Sequence, residues 1–157
     1  MELIKKNAAK HRAVYQTSDK VIRKYWYNKD LTWLNEHVNL LKSVVPNYLI
    51  NYGGDDIGMW IDMHPLTGTP ANTIPHTKEF VKQIYDFCLR NIEETAPYAH
   101  GDWVLSNMFV NGNNILLCDW DNIGIYLREE VTNKLHSDLR SAFGDLFDEV
   151  INDSAIV

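Results

Sequence analysis

The segment AHGDWVLSNMFVNGNNILLCDWDN, residues 99–122, constrains the fold most, because it sets polar side chains beside core-like apolar runs. An Asn-Gly pair at 111–112 predicts a tight hairpin between the two runs. The second strand of a hairpin returns alongside the first, so we expect Asp119 to lie near the loop that holds Asp102 and Asn107. Two carboxylates and an amide oxygen suit Mg²⁺, which takes its other ligands from water and substrate phosphates.

Composition and charge limit the class of protein. The chain has 157 residues, 45% of them hydrophobic and 23% charged, which is typical of a folded domain or two small lobes. Its formal charge of −6 argues against a general binder of nucleic acids or membrane surfaces. No apolar run approaches the roughly 18 residues of a membrane span, and the start MELIKKNAAKHR has no secretory pattern. Cys88 and Cys118 lie in apolar segments, which indicates buried thiols and a cytoplasmic protein.

The first half of the chain is predicted to contain short strands around one helix. Residues 12–26 hold two β-rich runs joined by a Ser-Asp-Lys turn, and MELIKK is a candidate third strand. Residues 48–63 predict another hairpin, with its turn at Gly53-Gly54-Asp55-Asp56. Helical spacing over residues 30–45 predicts a helix with Asp30 as its N-cap.

The second half is predicted to be mainly helical after a loop at residues 64–75. Helical spacing covers residues 76–95 and again residues 133–151, with the short hairpin between them. We therefore expect an α+β fold with a sheet lobe, a hinge and a reduced helical lobe. The expected bounds are 1–63, 64–70 and 71–157.

The strings HGDWVLSN and LLCDWDN together resemble the catalytic segment of the aminoglycoside phosphotransferase and choline kinase group, which has a protein-kinase-like fold. That group shows H-G-D-x-x-x-x-N, a hydrophobic hairpin and then I-D-W or a similar triplet. The resemblance implies that Asp102 is the catalytic base, and that Asn107 and Asp119 hold Mg²⁺ on the nucleotide phosphates. It also implies that His100 braces the catalytic loop, and that Asp138, in the SDLRSA segment, is a structural brace.

The segment DKVIRKYW resembles the choline-kinase strand V-L-L-R-x-Y-G, which would place Arg23 on the nucleotide phosphates. The protein-kinase V-A-I-K spacing selects Lys24 instead. Neighbouring residues of a strand face opposite ways, so only one of the two can point into the cleft. Arg23 is the preferred residue, with Glu36 on the following helix as its ion-pair partner.

The segment MWIDMHPLTGTP resembles the hinge of the same group. The resemblance implies that backbone groups of His64 and Leu66 meet adenine, and that Met63 lies at the back of the adenine pocket.

Several features depart from the family pattern. The phosphate-covering loop expected near residues 7–13 has no glycine, which leaves Lys10, His11 or Arg12 to meet phosphates by charge. Val104 stands two residues after the proposed base, where relatives often carry a cation. The chain is also short for the family, which implies an open acceptor side or one completed by another subunit, as in a homodimer.

The resemblance thus predicts an ATP- or GTP-dependent, Mg²⁺-requiring phosphotransferase acting on a small-molecule hydroxyl, such as an aminoglycoside, choline or a sugar. One alternative is a nucleotide-binding pseudokinase with a regulatory or assembly role. Another is a hydrolase that uses Asp102, Asp119 and Asp121 to hold two metals about 3.5–4 Å apart.

Overall fold

The computed structural model describes residues 1–155, which divide into two compact units. The first unit is Met1–Pro65, and the second begins at Leu66. The division falls inside the segment expected as the hinge. No helix among the described residues has the length and apolar character to cross a membrane.

The first unit is built on a five-stranded antiparallel sheet with strand order β1-β2-β3-β5-β4. Its strands are β1 (Glu2–Asn7), β2 (Arg12–Gln16), β3 (Ile22–Trp26), β4 (Leu49–Gly54) and β5 (Met59–Met63). The two predicted hairpins and the candidate third strand are therefore present.

The turn of the second hairpin lies after Gly53 and Gly54, which remain in β4. Asp55 and Gly58 close the turn, because the N–H of Asp55 donates to the carbonyl of Gly58 at 3.0 Å. A Cβ on Gly53 would lie 2.8 Å from the Trp60 ring. Glycine at position 53 thus makes room for an indole on the neighbouring strand rather than forming the turn.

The helix of the first unit, α1 (Leu31–Val44), begins and ends close to the predicted bounds. Asp30 is its N-cap, since the carboxylate accepts a hydrogen bond from the N–H of Trp33 at 2.9 Å. The buried side chains are Leu34, His37, Val38 and Leu41. The helix contacts β4 and β5, and His37 packs edge-on against Trp26. The helix therefore covers the sheet face that carries Trp26.

The described part of the second unit, up to residue 155, combines three α-helices with two small sheets. The helices are α2 (Lys78–Thr95), α3 (Arg128–Phe143) and α4 (Asp145–Ala155). One sheet is ordered β6 (Thr69–Pro70), β8 (Met108–Asn111), β9 (Asn114–Leu117), and the other pairs β7 (Tyr98–Ala99) with β10 (Gly124–Ile125). Fully buried core side chains include Val81, Ile84, Cys88, Trp103, Leu135, Leu139 and Phe147.

Three details of this unit differ from the sequence-based prediction. The single helix expected over 133–151 is two helices, because Gly144 has φ 59° and its N–H closes α3 on the carbonyl of Arg140 at 2.8 Å. The predicted loop at 64–75 contains β6, which pairs with β8. The hairpin turn is Gly112-Asn113 rather than Asn111-Gly112, since Asn111 pairs with Asn114.

Candidate functional site

The β8–β9 hairpin brings together the two ends of the segment singled out by sequence. Met108 pairs with Leu117, and the N–H of Cys118 donates to the carbonyl of Asn107 at 2.8 Å. Asp119 follows Cys118 directly, so its backbone starts next to Asn107. The hairpin therefore returns Asp119 in the manner expected from the Asn-Gly signal.

His100 links the same strand end to the loop that carries Asp102. Its Nδ1 accepts a hydrogen bond from the N–H of Asp102 at 3.1 Å, and its Nε2 lies 2.7 Å from the carbonyl oxygen of Cys118. A ring that accepts at Nδ1 and donates at Nε2 is the neutral imidazole. The ring is fully buried between Trp103 and Trp120. His100 thus braces the loop, as the resemblance implied.

The charges of three acidic side chains act on this histidine. Burial lowers the pKa of His100, while the hydrogen bond to Cys118 and the charges of Asp119, Asp102 and Asp121 act in the opposite direction. The three acids are therefore within electrostatic range of one buried ring, although Asp121 lies 19 positions beyond Asp102 in the sequence.

The side-chain amide of Asn107 is hydrogen-bonded to Asp102. Its Nδ2 donates to both the carbonyl and the Oδ2 of Asp102, each at 3.2 Å, and the residue is buried. Both bonds use the nitrogen, so the amide oxygen is not consumed by them. Asp102 is half-buried, and its Oδ1 takes no part in this contact.

Asp119 has an unusual backbone. Its φ and ψ of 60° and 65° lie in the left-handed region, which is uncommon outside glycine but tolerated by aspartate. A short 3-10 turn, Trp120–Asn122, follows immediately. Trp120 is buried and its Nε1 donates to the carbonyl of Leu117 at 3.1 Å, which makes it a packing residue. Such conformations tend to occur where the chain must aim a functional side chain.

Asp138 on α3 holds the loop from the other side. Its Oδ2 accepts from the N–H of Trp103 at 2.9 Å, and its Oδ1 pairs with Lys134 at 2.6 Å. The structural role expected of Asp138 is confirmed by this contact.

The chemistry of the donors fits a hard divalent cation. Asn107 and Asp119 offer an amide oxygen and a carboxylate, which are oxygen ligands of the kind that Mg²⁺ uses. Residues 1–155 contain no group of three His, Cys, Asp or Glu side chains arranged to hold a metal. A Mg²⁺ ion on this site would therefore complete its shell with water and phosphate oxygens.

In the first unit, Arg23 is engaged by a different acid from the one expected. Its Nε and Nη2 donate to the two carboxylate oxygens of Asp62 at 2.7 and 3.0 Å, and its guanidinium lies 3.7 Å from the centre of the Trp60 ring. The bond to Asp62 raises the pKa of Arg23. The expected ion pair with Glu36 is therefore wrong: Arg23 and Asp62 are cross-strand partners, whereas Glu36 is exposed on α1.

Lys24 lies on the opposite face of the sheet from Arg23. It is buried, and its Nζ sits 5.3 Å from the centre of the Trp26 ring, on the face covered by α1. Strand alternation thus separates the two basic residues, as expected. Arg23 binds Asp62 in bidentate fashion on the other face, and its role at the phosphates stays a prediction.

The remaining predicted nucleotide contacts are residues close to position 65 in the sequence. Met63 is the last residue of β5, and His64 and Leu66 are exposed residues outside regular structure. The glycine-free loop before β2 is a 3-10 turn in which Asn7 Oδ1 accepts from the N–H of Lys10 at 3.1 Å, followed by His11 at φ 54°.

Sequence reasoning missed Tyr126. Its hydroxyl donates to the carbonyl of Asn122 at 2.6 Å, and a Cβ on Gly101 would lie 3.2 Å from the hydroxyl oxygen of Tyr126. Gly101 has φ 84°, so glycine is required there for its backbone as well. Gly101 is the glycine of the H-G-D motif, but no sequence pattern indicated a role for Tyr126.

Comparison with known proteins gives similarity of structure alone. No protein-family model matches the sequence, and no curated protein sequence is similar to it. The structure of vaccinia related kinase 3 matches with a TM-score of 0.54 and 14% identity, over 83% of this chain and 49% of that one. This chain thus spans about half the length of that kinase.

A second solved structure, the kinase PK-1 of Cydia pomonella granulovirus, matches with a TM-score of 0.62 and 14% identity. The match extends over 91% of this chain and 69% of PK-1. Neither structure is described as an aminoglycoside or choline kinase. The chain therefore has a protein-kinase-like α+β fold, with a small antiparallel sheet unit followed by a reduced helical unit that carries the loop and hairpin of the candidate site.

Proposed function

We propose that the protein is a phosphotransferase that moves the γ-phosphoryl group of ATP or GTP to the hydroxyl of a small molecule. The observation that carries this proposal is the double contact of His100, which fixes the backbone of Asp102 against the carbonyl that precedes Asp119. Phosphoryl transfer depends mainly on positioning and on neutralising charge, so a base and a metal ligand fixed in one framework suit that reaction.

Asp102 is the proposed base. Asn107 holds its Oδ2 through an amide N–H, which leaves Oδ1 as the atom that we assign to the acceptor hydroxyl. At that atom the hydroxyl would be oriented and would give up its proton as it attacks phosphorus.

Asn107 and Asp119 are the proposed metal ligands. When bound, Mg²⁺ neutralises charge on the nucleotide phosphates. The chain contributes the amide oxygen of Asn107, oriented by its two bonds to Asp102, and a carboxylate on a residue whose left-handed backbone starts a new turn.

Lys24 is our choice for the phosphates in the first unit. Arg23 lies on the opposite face of the sheet, where both carboxylate oxygens of Asp62 hold its guanidinium. Lys24 also occupies the position that the V-A-I-K spacing selects. Met63, His64 and Leu66 remain the proposed contacts for adenine on the strength of the hinge resemblance.

A pseudokinase is the second candidate, and two observations favour it. Val104, half-buried, stands where relatives often have a cation. The turn expected to cover the phosphates lacks a glycine. The side chain of Asn7 closes it by accepting a hydrogen bond from the backbone N–H of Lys10. Under this alternative the protein would bind Mg-nucleotide and transfer nothing.

The decisive experiment is an acceptor screen with ATP or GTP and Mg²⁺, read by release of the nucleoside diphosphate. The panel should contain aminoglycosides, choline, sugars and a protein substrate mixture, because the solved neighbours are kinases of other kinds. Asp102→Asn is the control, since it keeps size and most hydrogen bonding but removes the base. Acceptor-dependent release lost in Asp102→Asn supports the proposal.

Other results would contradict it. Nucleotide binding without transfer to any acceptor would favour the pseudokinase. Full transfer in Asp102→Asn would remove Asp102 as the base, and no Mg-nucleotide binding at all would reject both candidates.

A further inference from the structure

Tyr126 occupies an unusual position beside the candidate site. It belongs to an exposed apolar run from the end of β10 to the start of α3, in which Ile125 and Leu127 are 68% and 71% exposed. Tyr126 is only 38% exposed, because its ring lies over two glycines. A Cβ on Gly101 would lie 3.5 Å from its Cζ, and one on Gly124 would lie 3.5 Å from its Cε2.

The hydroxyl of Tyr126 reaches the other half of the site. It donates to the carbonyl of Asn122 at 2.6 Å, a short bond to the last residue of the turn that follows Asp119. Gly101 directly precedes Asp102. One side chain therefore hydrogen-bonds the turn after the proposed metal ligand and lies beside the residue before the proposed base.

The contact with Gly101 is specific to the hydroxyl end of the ring. The Cβ position of Gly101 is 3.2 Å from Oη, tighter than an ordinary contact, and 3.4 Å from the carbonyl oxygen of Asn122. A methyl group at Gly101 would therefore crowd the Tyr126 hydroxyl and meet the Asn122 carbonyl oxygen at van der Waals distance.

We propose that Tyr126 is a positioning residue that clamps the Asp119–Asn122 turn to the Asp102 loop and thereby sets the affinity for Mg-nucleotide. This inference rests on the proposed function. Tyr126 acts through Asp119, whose orientation depends on the turn that the hydroxyl holds, and it does not itself touch the metal or the acceptor.

The test compares Tyr126→Phe, which keeps the ring and removes the hydroxyl, with Tyr126→Ala and wild type. Tyr98→Phe, on the strand that pairs with Ile125, is the matched control for loss of a tyrosine hydroxyl. Affinity for ATP or GTP is measured by calorimetry over a range of Mg²⁺ concentrations. Amide hydrogen exchange of residues 119–124 is measured without ligand.

We expect Tyr126→Phe to weaken Mg-dependent nucleotide binding about five-fold, the effect of one typical hydrogen bond, and to raise exchange in the turn. Binding in the absence of Mg²⁺ should be unchanged, which a general loss of structure would not give. Tyr98→Phe should match wild type in both measurements.

A double-mutant cycle tests the contact itself. Gly101→Ala should destabilise the wild-type protein more than it destabilises Tyr126→Phe, because the crowding at 3.2 Å disappears with the hydroxyl. Additive effects would show that Oη does not lie against the position of the added methyl group, and so does not lie beside Gly101.

The outcomes separate this inference from the proposed function. If wild type binds Mg-nucleotide and Tyr126→Phe binds it equally well, the positioning role is wrong and the proposed function stands. If only Tyr126→Ala is impaired, the ring packs and the hydroxyl clamps nothing, which also overturns the inference. If wild type binds no Mg-nucleotide, the proposed function fails and the positioning role fails with it, while unchanged exchange in Tyr126→Phe would reject the clamp independently.

Discussion

Asp138 accepts a hydrogen bond from the backbone N–H of Trp103 at 2.9 Å, across 35 positions of sequence. Trp103 is fully buried and directly follows Asp102, so α3 fixes the loop at the residue next to the proposed base. His100 fixes the N–H of Asp102 itself and links it to the carbonyl of Cys118, at the end of the β8–β9 hairpin. Two separate elements thus hold a single turn of backbone, which is the kind of preorganisation that transfer chemistry needs.

Asp138→Ala should destabilise the protein by about 1–3 kcal/mol, because it leaves the buried N–H of Trp103 without its acceptor. The free energy of unfolding in urea measures this cost. Lys134→Ala is the control: it removes the partly exposed ion pair to the same carboxylate and should cost at most about 1 kcal/mol. Equal costs for the two variants would show that Asp138 matters through its ion pair and not through the loop.

Asp119→Ala should weaken nucleotide binding in the presence of Mg²⁺ by about ten-fold or more, because it removes a charged metal ligand. Without Mg²⁺ the variant and wild type should bind nucleotide alike. Asp121→Ala is the matched control, since Asp121 lies in the same turn and is not assigned to the metal. Calorimetric titrations of the three proteins with and without Mg²⁺ give all six affinities. An Asp119→Ala variant that responds to Mg²⁺ as wild type does would remove Asp119 from the metal site.

Lys24→Met should reduce nucleotide affinity about ten-fold, whereas Arg23→Met should change it less than about two-fold. Arg23→Met should instead cost about 2 kcal/mol of stability, because Asp62 is buried and loses its bidentate partner. Adding Asp62→Asn to Arg23→Met should recover part of that loss. Nucleotide titration and urea unfolding of the same variants provide the comparison. A larger loss of affinity in Arg23→Met would restore the original preference for Arg23.

The sequence predicted well those features that depend on local pattern. Helix α1 follows from apolar spacing and from Asp30, which caps its first turn, and helix α2 follows from apolar spacing. The approach of Asp119 to Asn107 follows from hairpin geometry alone. These predictions needed no knowledge of distant contacts.

Features that depend on register or on backbone conformation were not predictable in the same way. The apolar stripe of α3 continues into α4 through Phe143 and Phe147, so periodicity cannot reveal the break at Gly144. Asp62 is the partner of Arg23 because β3 and β5 align those two positions, and sequence does not give that register. Tyr126 was missed because its contacts are to backbone, which leaves no pattern of side-chain types.

The pH dependence of stability should report the buried state of His100. Burial lowers its pKa below the ordinary value of 6.5, so the unfolded chain takes up a proton that the folded chain refuses as pH falls through that value. The contribution of neutral His100 to the free energy of unfolding is therefore fully present above about pH 6.5. It is lost progressively as the pH falls from there toward the lowered pKa of His100 in the folded protein. Burial also lowers the pKa of His136, which adds a decline of the same sign. Urea unfolding at pH 7 and pH 5 should show a smaller difference in His100→Gln than in wild type, with His136→Gln measured alongside to account for the second histidine. An unchanged difference in His100→Gln would mean that this ring is protonated in the folded protein, in conflict with the bond that its Nδ1 accepts from Asp102.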